Sequence, residues 1–385
     1  MKRVCIIHHS LNPCGGGELV ALTTMELLKE LDYYTILITT EPTDWKRVEK
    51  LTGYRIRPDE EKTTLPFKLN KFGVYQRLLS TIGYMMYKGR CDLSINTHGD
   101  ILPIPTDIIY IHFPTFLLLT DEYMFEKYSS SLFWKTYYIP YMFMEKFLVR
   151  RALSRLRSTA VLTNSSYSAK AIRKYIGVEP LVVYPPVDID QFLPIALCES
   201  REDIIVSCGR YSMEKRYHFI LDVARHLPGY RFYIIGSISS PSSRDYYNRV
   251  RAMKEKLGLD NVELLVDYPR TKQIMLYSHA KAYMHAMIGE HFGISIVEAM
   301  ASGLVPVVHK SGGAWMDIVD YGRYGYGYSS LEEAVEAVEK AVKNYDSIRE
   351  KIVRRAMVFS KDRFKECMKR IILKILLLKS RGIRL

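Results

Sequence analysis

Short apolar runs rich in Val, Ile and Leu alternate with helix-period segments along the chain, in two separate series. No other feature constrains the fold as strongly. A strand buried on both faces has no polar alternation, and parallel neighbours need a crossover that is usually a helix. The first series opens with "RVCIIHH", passes through "NPCGGG" into the helical "ELVALTTMELLKEL" and goes on to "YTILITT". Its later strands are "CDLSINT", "DIIYIHF", "STAVLTN" and "EPLVVYPP". The second series runs "DIIVSCGR", a helix from about Glu214, "YRFYIIGS", a helix over 243–257 and "VELLVDY". It continues with a helix over 271–280, "KAYMHAM", a helix over 293–302 and "LVPVVH". Between the two, "YPPVDIDQFLP" breaks both periods with three prolines. The pattern predicts an α/β chain with two facing, Rossmann-like doubly wound domains, 1–190 and 191–360. The cleft between them would gather strand ends and helix N-termini around a ligand.

Length and composition agree with this division. At 385 residues the chain exceeds one ordinary core, and 48% hydrophobic with 25% charged residues is a globular balance. No apolar run approaches the 18 or so residues of a membrane-spanning helix. The N-terminal "MKRVCIIHHSLNP" is interrupted by His8 and His9, so it is expected to be a first strand rather than a signal peptide. Six cysteines (5, 14, 91, 198, 208 and 367) show no Cys-x-x-Cys spacing. Neither a metal site nor a disulfide framework is expected, and a reducing cytoplasm suits them.

The net charge of +13 calls for anionic partners, and it is unevenly placed. The tail 361–385 has nine Lys or Arg against two acids, while 66–90 has five basic residues and no acid. The tail also sets Phe364, Met368, Ile371, Ile372, Ile375 and Leu378 at helical spacing. In 132–157 aromatic residues (Phe133, Trp134, Tyr137, Tyr138, Tyr141, Phe143 and Phe147) interleave with cations. Such segments can lie at a membrane interface, stack on single-stranded nucleic acid, or pack as a buried helix pair.

Four stretches carry candidate chemistry. Gly15, Gly16 and Gly17 lie between the first strand and its helix, where backbone can approach a ligand and unpaired N–H groups face an anion. The turn does not match Gly-x-Gly-x-x-Gly or the P-loop. "CGRYSMEK" sets Gly209, Arg210 and Lys215 after a strand, two cations suited to a diphosphate leaving group. His112 stands just past the buried strand "IIYIHF". In "EHFGISIVEAMASGLVPVV", Glu290 and Glu298 are eight positions apart, which on one helix would turn them about 80° from each other. Glu290 is therefore expected in a loop, followed by Phe292, Gly293 and Ile294 at a helix start, with Glu298 inside the helix. The "NSSYSAKAI" stretch supplies an N-cap, Ser165 or Ser166.

Taken in order, these motifs resemble glycosyltransferase family 4, the retaining transferases of GT-B fold. The resemblance spans the glycine turn, His112, "VVYPPVD", "GRYSMEK" and "EHFGISIVEAMASGLVPVVHKSGG". Within that family the motifs look most like the GDP-mannose-dependent α-1,2-mannosyltransferases that extend dolichol-linked oligosaccharide. One departure is Met213, where a proline commonly precedes the Glu-Lys pair. The resemblance implies transfer of a sugar from a nucleoside-diphosphate donor to a lipid-linked or other saccharide acceptor, without metal or other cofactor. Arg210 and Lys215 would hold the diphosphate, Glu298 the ribose, and Glu290 and His112 the donor sugar. Gly15–Gly17 and, secondarily, Ser311–Gly313 would face phosphate, acceptor or sugar. The final helix 361–385 would cross back to the N-terminal domain with its cations outward. The expected setting is peripheral, on the cytosolic face of an anionic membrane, with no nucleic acid. A GT-B-type epimerase or phosphorylase is the alternative enzyme, and a basic non-enzymatic binder explains the charge but not the paired glutamates.

Overall fold

The computed structural model describes residues 1–67, 73–100, 104–115, 132–238 and 240–383. Contacts divide the chain into two compact units, Met1–Pro186 with Asp362–Leu385, and Val187–Lys361.

The first unit is built on a seven-stranded, wholly parallel sheet. Its chain runs β1 (Arg3–Ile7), α1 (Gly16–Glu30), β2 (Tyr34–Thr39), α2 (Trp45–Thr52), β3 (Glu60–Thr63) and α3 (Gly73–Tyr87). Then follow β4 (Leu93–Asn96), β5 (Ile108–Ile111), α4 (Leu132–Leu153), β6 (Ala160–Thr163), α5 (Ser166–Ile176) and β7 (Leu181–Val182). Strand order is β3-β2-β1-β4-β5-β6-β7, so the winding reverses between β1 and β4. Successive side chains of β1 point to opposite faces. Val4 and Ile6 join a core with Val20, Leu27 and Leu28 of α1, whereas Cys5 and Ile7 join Tyr84 of α3 with Tyr138 and Tyr141 of α4.

The second unit has a six-stranded parallel sheet ordered β10-β9-β8-β11-β12-β13. It comprises β8 (Glu202–Arg210), α6 (Tyr217–His226), β9 (Arg231–Ser237), α7 (Pro241–Leu257), β10 (Val262–Val266) and α8 (Arg270–His279). It closes with β11 (Ala280–His285), α9 (Ile294–Ala301), β12 (Val305–His309), β13 (Tyr326–Tyr328), α10 (Leu331–Lys343) and α11 (Tyr345–Ala356). Here the winding reverses between β8 and β11. Arg201, just ahead of β8, stitches the unit: its guanidinium donates to the carbonyls of Ile195, Tyr277, Ala280 and Ser302.

The last helix, α12 (Lys361–Ser380), belongs with the first unit from Asp362 onward. Phe364, Met368, Ile372, Ile375 and Leu376 enter the same core as α1 and β1. Its outward cations are partly engaged, since Lys365 pairs with Glu30 and Lys379 with Asp107. No described helix is long and apolar enough to cross a membrane.

Local rules hold where the sequence predicts them. Ser165 caps α5 by accepting the Ser168 amide, and Ser240 caps α7 ahead of Pro241. The turn after β8 differs: Met213–Lys215 form a single 3-10 turn, and α6 begins only at Tyr217, after left-handed Arg216. The cysteines need a correction. Cys5 and Cys91, 86 positions apart, are joined by a disulfide with Cα atoms 5.9 Å apart. The parallel β1–β4 pairing brings them together, a long-range neighbour relation that cysteine spacing does not encode.

Ile372 is fully buried while its neighbour Leu373 is 44% exposed. Ile372→Ala should therefore destabilise the protein by about 2–5 kcal/mol, the usual cost of emptying such a site. Leu373→Ala should cost well under 1 kcal/mol. Urea denaturation of both variants checks this, and equal losses would mean α12 is not docked through this stripe.

Candidate functional site

In open parallel sheets the loops at the C-terminal strand ends part where the winding reverses, leaving a crevice for ligands. In the first unit that point lies between β1 and β4, and it collects the turn after β1, the residues after β4 and His112 after β5. The Gly15 amide donates to Glu18 Oε2 at 2.6 Å, so the carboxylate three residues on closes the turn on itself. Burial pushes the Glu18 carboxyl up, but nearby His8 and the Gly15 amide outweigh it and hold it below its usual range. His8 Nε2 lies 3.6 Å from Glu18 Oε1, and its Nδ1 is 2.9 Å from Thr97 Oγ1.

His112 packs over this turn. A Cβ added at Gly17 would lie 3.3 Å from His112 Nε2, so a larger residue there would crowd the imidazole. Among the described residues that buried Nε2 has no hydrogen-bond partner. Asp100 accepts the backbone amides of both His112 and Phe113, fixing the strand end. Burial raises the Asp100 carboxyl to about 7 and lowers His112 to about 4. His112 is therefore a neutral imidazole at neutral pH.

In the second unit the turn after β8 meets the turn after β11. Lys215 Nζ lies 2.7 Å from Glu290 Oε2, and His285 Nε2 lies 2.9 Å from the same oxygen. Burial pushes the Glu290 carboxyl up, but Lys215 and His285 overcome it and hold it well below the usual carboxylate range. Gly209 leaves room beside this pair, because a Cβ there would press on the Tyr217 hydroxyl and touch the Lys215 stem. The expected cation pair therefore divides. Lys215 is a mostly buried partner of Glu290 with 17% side-chain exposure, rather than a surface residue, while Arg210 is 68% exposed and only 3.8 Å from Glu214.

Glu290 lies in the turn and Glu298 within α9, as the spacing predicts. Gly293 caps the helix with φ at +112°, and a Cβ there would collide with Ile296. Phe292 is buried against Phe359, and Ile294 starts the helix half-buried. Glu298 is held by Arg270 in a two-pronged pair of 2.6 and 3.1 Å, and Arg270 stacks over Phe192. The turn Ser311–Gly313 binds the Glu290 segment: Ser311 Oγ accepts the Gly289 amide, and the Gly313 amide donates to the Glu290 carbonyl. Gly312, at φ +75°, lies against the Glu290 backbone where a Cβ would not fit.

Sequence reasoning missed His8, Glu18, Asp100, Arg270 and His285. Glu18 follows the glycine run directly and Asp100 follows a strand end, but neither lies in a spacing that announces a role. Arg270 and His285 are partners of the glutamates only through the fold.

The whole chain shares its fold with solved glycosyltransferases. A glycosyltransferase from Rickettsia africae superposes with a TM-score of 0.67, covering 97% of this chain and 98% of that one at 15% identity. Residues 189–357, within the second unit, match the family model of glycosyl transferases group 1. The chain is also similar to the GDP-Man:Man(3)GlcNAc(2)-PP-Dol alpha-1,2-mannosyltransferases of Dictyostelium discoideum and Homo sapiens. The first is 29% identical over 54% of this chain and 45% of that protein, and the second 31% identical over 42% and 36%. The chain thus spans less than half the length of either relative.

The Asp100–His112 strand end predicts an uncommon pH response. Asp100, raised to about 7 from 3.8, keeps a proton in the folded state that the unfolded chain releases, so its contribution to stability falls as pH rises through that window. His112, lowered to about 4 from 6.5, refuses a proton that the unfolded chain binds, so its contribution grows as pH rises from 4 to 6.5. The two slopes oppose each other. Asp100→Asn removes the first, so stability of that variant should climb more steeply than wild type between those limits, by up to about 1.4 kcal/mol per pH unit. Denaturant titrations across that range test it, and parallel curves would remove Asp100 from the account.

Proposed function

We propose that the protein is a retaining glycosyltransferase that moves a hexose, mannose from GDP-mannose, onto a lipid-linked saccharide acceptor. The observation that carries the proposal is the mostly buried Glu290, held ionised by Lys215 and His285 beside the Ser311–Gly313 turn. It lies in a unit that matches the glycosyl transferases group 1 model. The names of the Dictyostelium and human relatives supply the donor and the dolichol-linked acceptor class.

The residues divide the work. Arg210, exposed and only loosely paired, supplies positive charge to the departing diphosphate, and Lys215 adds a second charge from below. A carboxylate held so far below its usual range is a weak base and a weak nucleophile, so Glu290 orients the donor sugar by accepting its hydroxyls. Its Oε2 is taken by Lys215 and His285, and among the described residues Oε1 has no side-chain partner. Glu298 accepts the ribose hydroxyls, with Arg270 fixing its rotamer. Neutral His112 offers Nε2 to the sugar or the acceptor. The Gly15–Gly17 turn at the start of α1 presents backbone amides to phosphate or acceptor. Two cations at the leaving group do the work a divalent ion would do, so the proposed reaction needs no metal. The proposed setting is the cytosolic face of a membrane, reached by peripheral contact with anionic lipid.

The roles separate in a binding and transfer experiment. Arg210→Ala should lower kcat by roughly 10²-fold, as loss of a transition-state donor does elsewhere. Glu298→Ala should weaken GDP and GDP-mannose alike, whereas Glu290→Gln should abolish most transfer while leaving GDP affinity nearly intact. Isothermal titration with GDP and transfer from labelled GDP-mannose to a dolichol-linked oligosaccharide read these out. Loss of GDP affinity on Glu290→Gln, retained on Glu298→Ala, would reverse the two roles. EDTA should leave turnover unchanged, and the product linkage should keep the donor's anomeric configuration.

A further inference from the structure

The first unit has a second feature at the opposite edge of its sheet from the glycine turn. A cavity of about 860 Å³ opens at the N-terminal ends of β4, β5 and β6, lined by Lys88, Ser154, Arg155 and Thr159 among others. It continues into a groove of about 460 Å³ between α3 and α4, lined by Met85, Ile104, Phe147 and Leu148. Tyr84, Lys88, Pro105 and Arg155 border both spaces, so a cationic chamber and an apolar channel form one amphipathic pocket.

Two further observations concern its rim. Ile82, Met85 and Met86 on α3, with Phe143, Met144 and Phe147 on α4, are between 41% and 68% exposed. Isolated exposed apolar residues are ordinary, but Met85 and Phe147 both line the groove, and the other four lie within about one turn of them on the same two helices. Around it stand Lys88, Arg151 and Arg155, all exposed, and none has a carboxylate partner among the described residues. The one acid of the chamber, Asp107, is already paired with Lys379 and accepts from Ser94.

We propose that this pocket docks the protein on a bilayer by taking an anionic phospholipid, its phosphate against Lys88 and Arg155 and an acyl chain along the α3–α4 groove. Unpaired cations beside a Met and Phe surface complement a headgroup above hydrocarbon. The site gives the peripheral contact proposed above a definite place; it rests on that contact and not on the sugar transfer.

Flotation of the full chain tests it with vesicles of phosphatidylcholine alone and of phosphatidylcholine mixed with phosphatidylglycerol. Wild type should float with the mixed vesicles and lose binding as salt rises. Lys88→Glu with Arg155→Glu should lower partitioning about tenfold or more. Met85→Ser with Phe147→Ser should also weaken it, with less dependence on salt. Arg249→Glu with Lys256→Glu, an equal charge change on exposed positions of α7, should leave it nearly unchanged. Melting curves confirm that the variants are folded, and Lys88→Gln with Arg155→Gln serves if the reversals are not. If wild type floats with neither vesicle, the membrane contact itself fails. If wild type floats and the pocket variants float as well, or the α7 control falls equally, the contact stands and the pocket is wrong.

Discussion

In each unit every strand pair is parallel, so both faces of the sheet need a cover and each crossover must carry the chain from the C-terminal edge back to the N-terminal edge. That requirement orders the rest. It explains strands such as "RVCII", apolar at successive positions because Val4 and Ile6 face one layer while Cys5 and Ile7 face the other. It explains why α12 returns to the first unit, since the α1 layer would otherwise leave part of its face of the sheet in water. It also collects the turns that follow strands at one edge, where the reversal between β1 and β4, or between β8 and β11, spreads them apart.

Charge burial at those reversals is then the second problem, and the two units solve it differently. In the second unit the Lys215 ammonium and the His285 imidazole converge on one oxygen of Glu290, so the carboxylate stays ionised despite desolvation. Removing one partner of such a group leaves an uncompensated charge, which is costly. In the first unit burial dominates at the strand end, raising Asp100 and lowering His112 behind the glycine turn, while Glu18 in that turn is held below its usual range beside His8.

The sequence made the fold legible because its signals are local. The two strand-and-helix series, the Ser165 cap and the Glu290 loop before the Glu298 helix follow from period, cap chemistry and a Phe-Gly break. What it hid is long-range. Lys215 reads as a surface cation because it stands between charged Glu214 and Arg216 in a turn; its burial comes with Glu290, 75 positions away. Arg270 meets Glu298 across two crossovers, and Cys5 meets Cys91 through strand pairing. The aromatic segment 132–157 was ambiguous for a different reason. Its residues serve two environments at once, with Tyr138 and Tyr141 buried and Phe143 and Phe147 exposed, while the side chains of Phe133, Trp134 and Tyr137 lie outside those described.

A parallel sheet also makes its two edges chemically unequal. Helix N-termini gather at the C-terminal strand ends, where they favour anions, and helix C-termini gather at the other edge, where they favour cations. Lys88 follows α3 directly, Arg155 comes two residues after α4, and Lys379 is in the last turn of α12. Dipole complementarity alone accounts for cations at these ends. It does not account for their surplus, because a helix end carries only about half an elementary charge and each side chain brings a full one. Lys379 gives its remainder to Asp107, but Lys88 and Arg155 have no carboxylate among the described residues to receive theirs. The residual positive charge stands at the exposed rim of an apolar groove, which is the arrangement a phosphate on a hydrocarbon chain would satisfy.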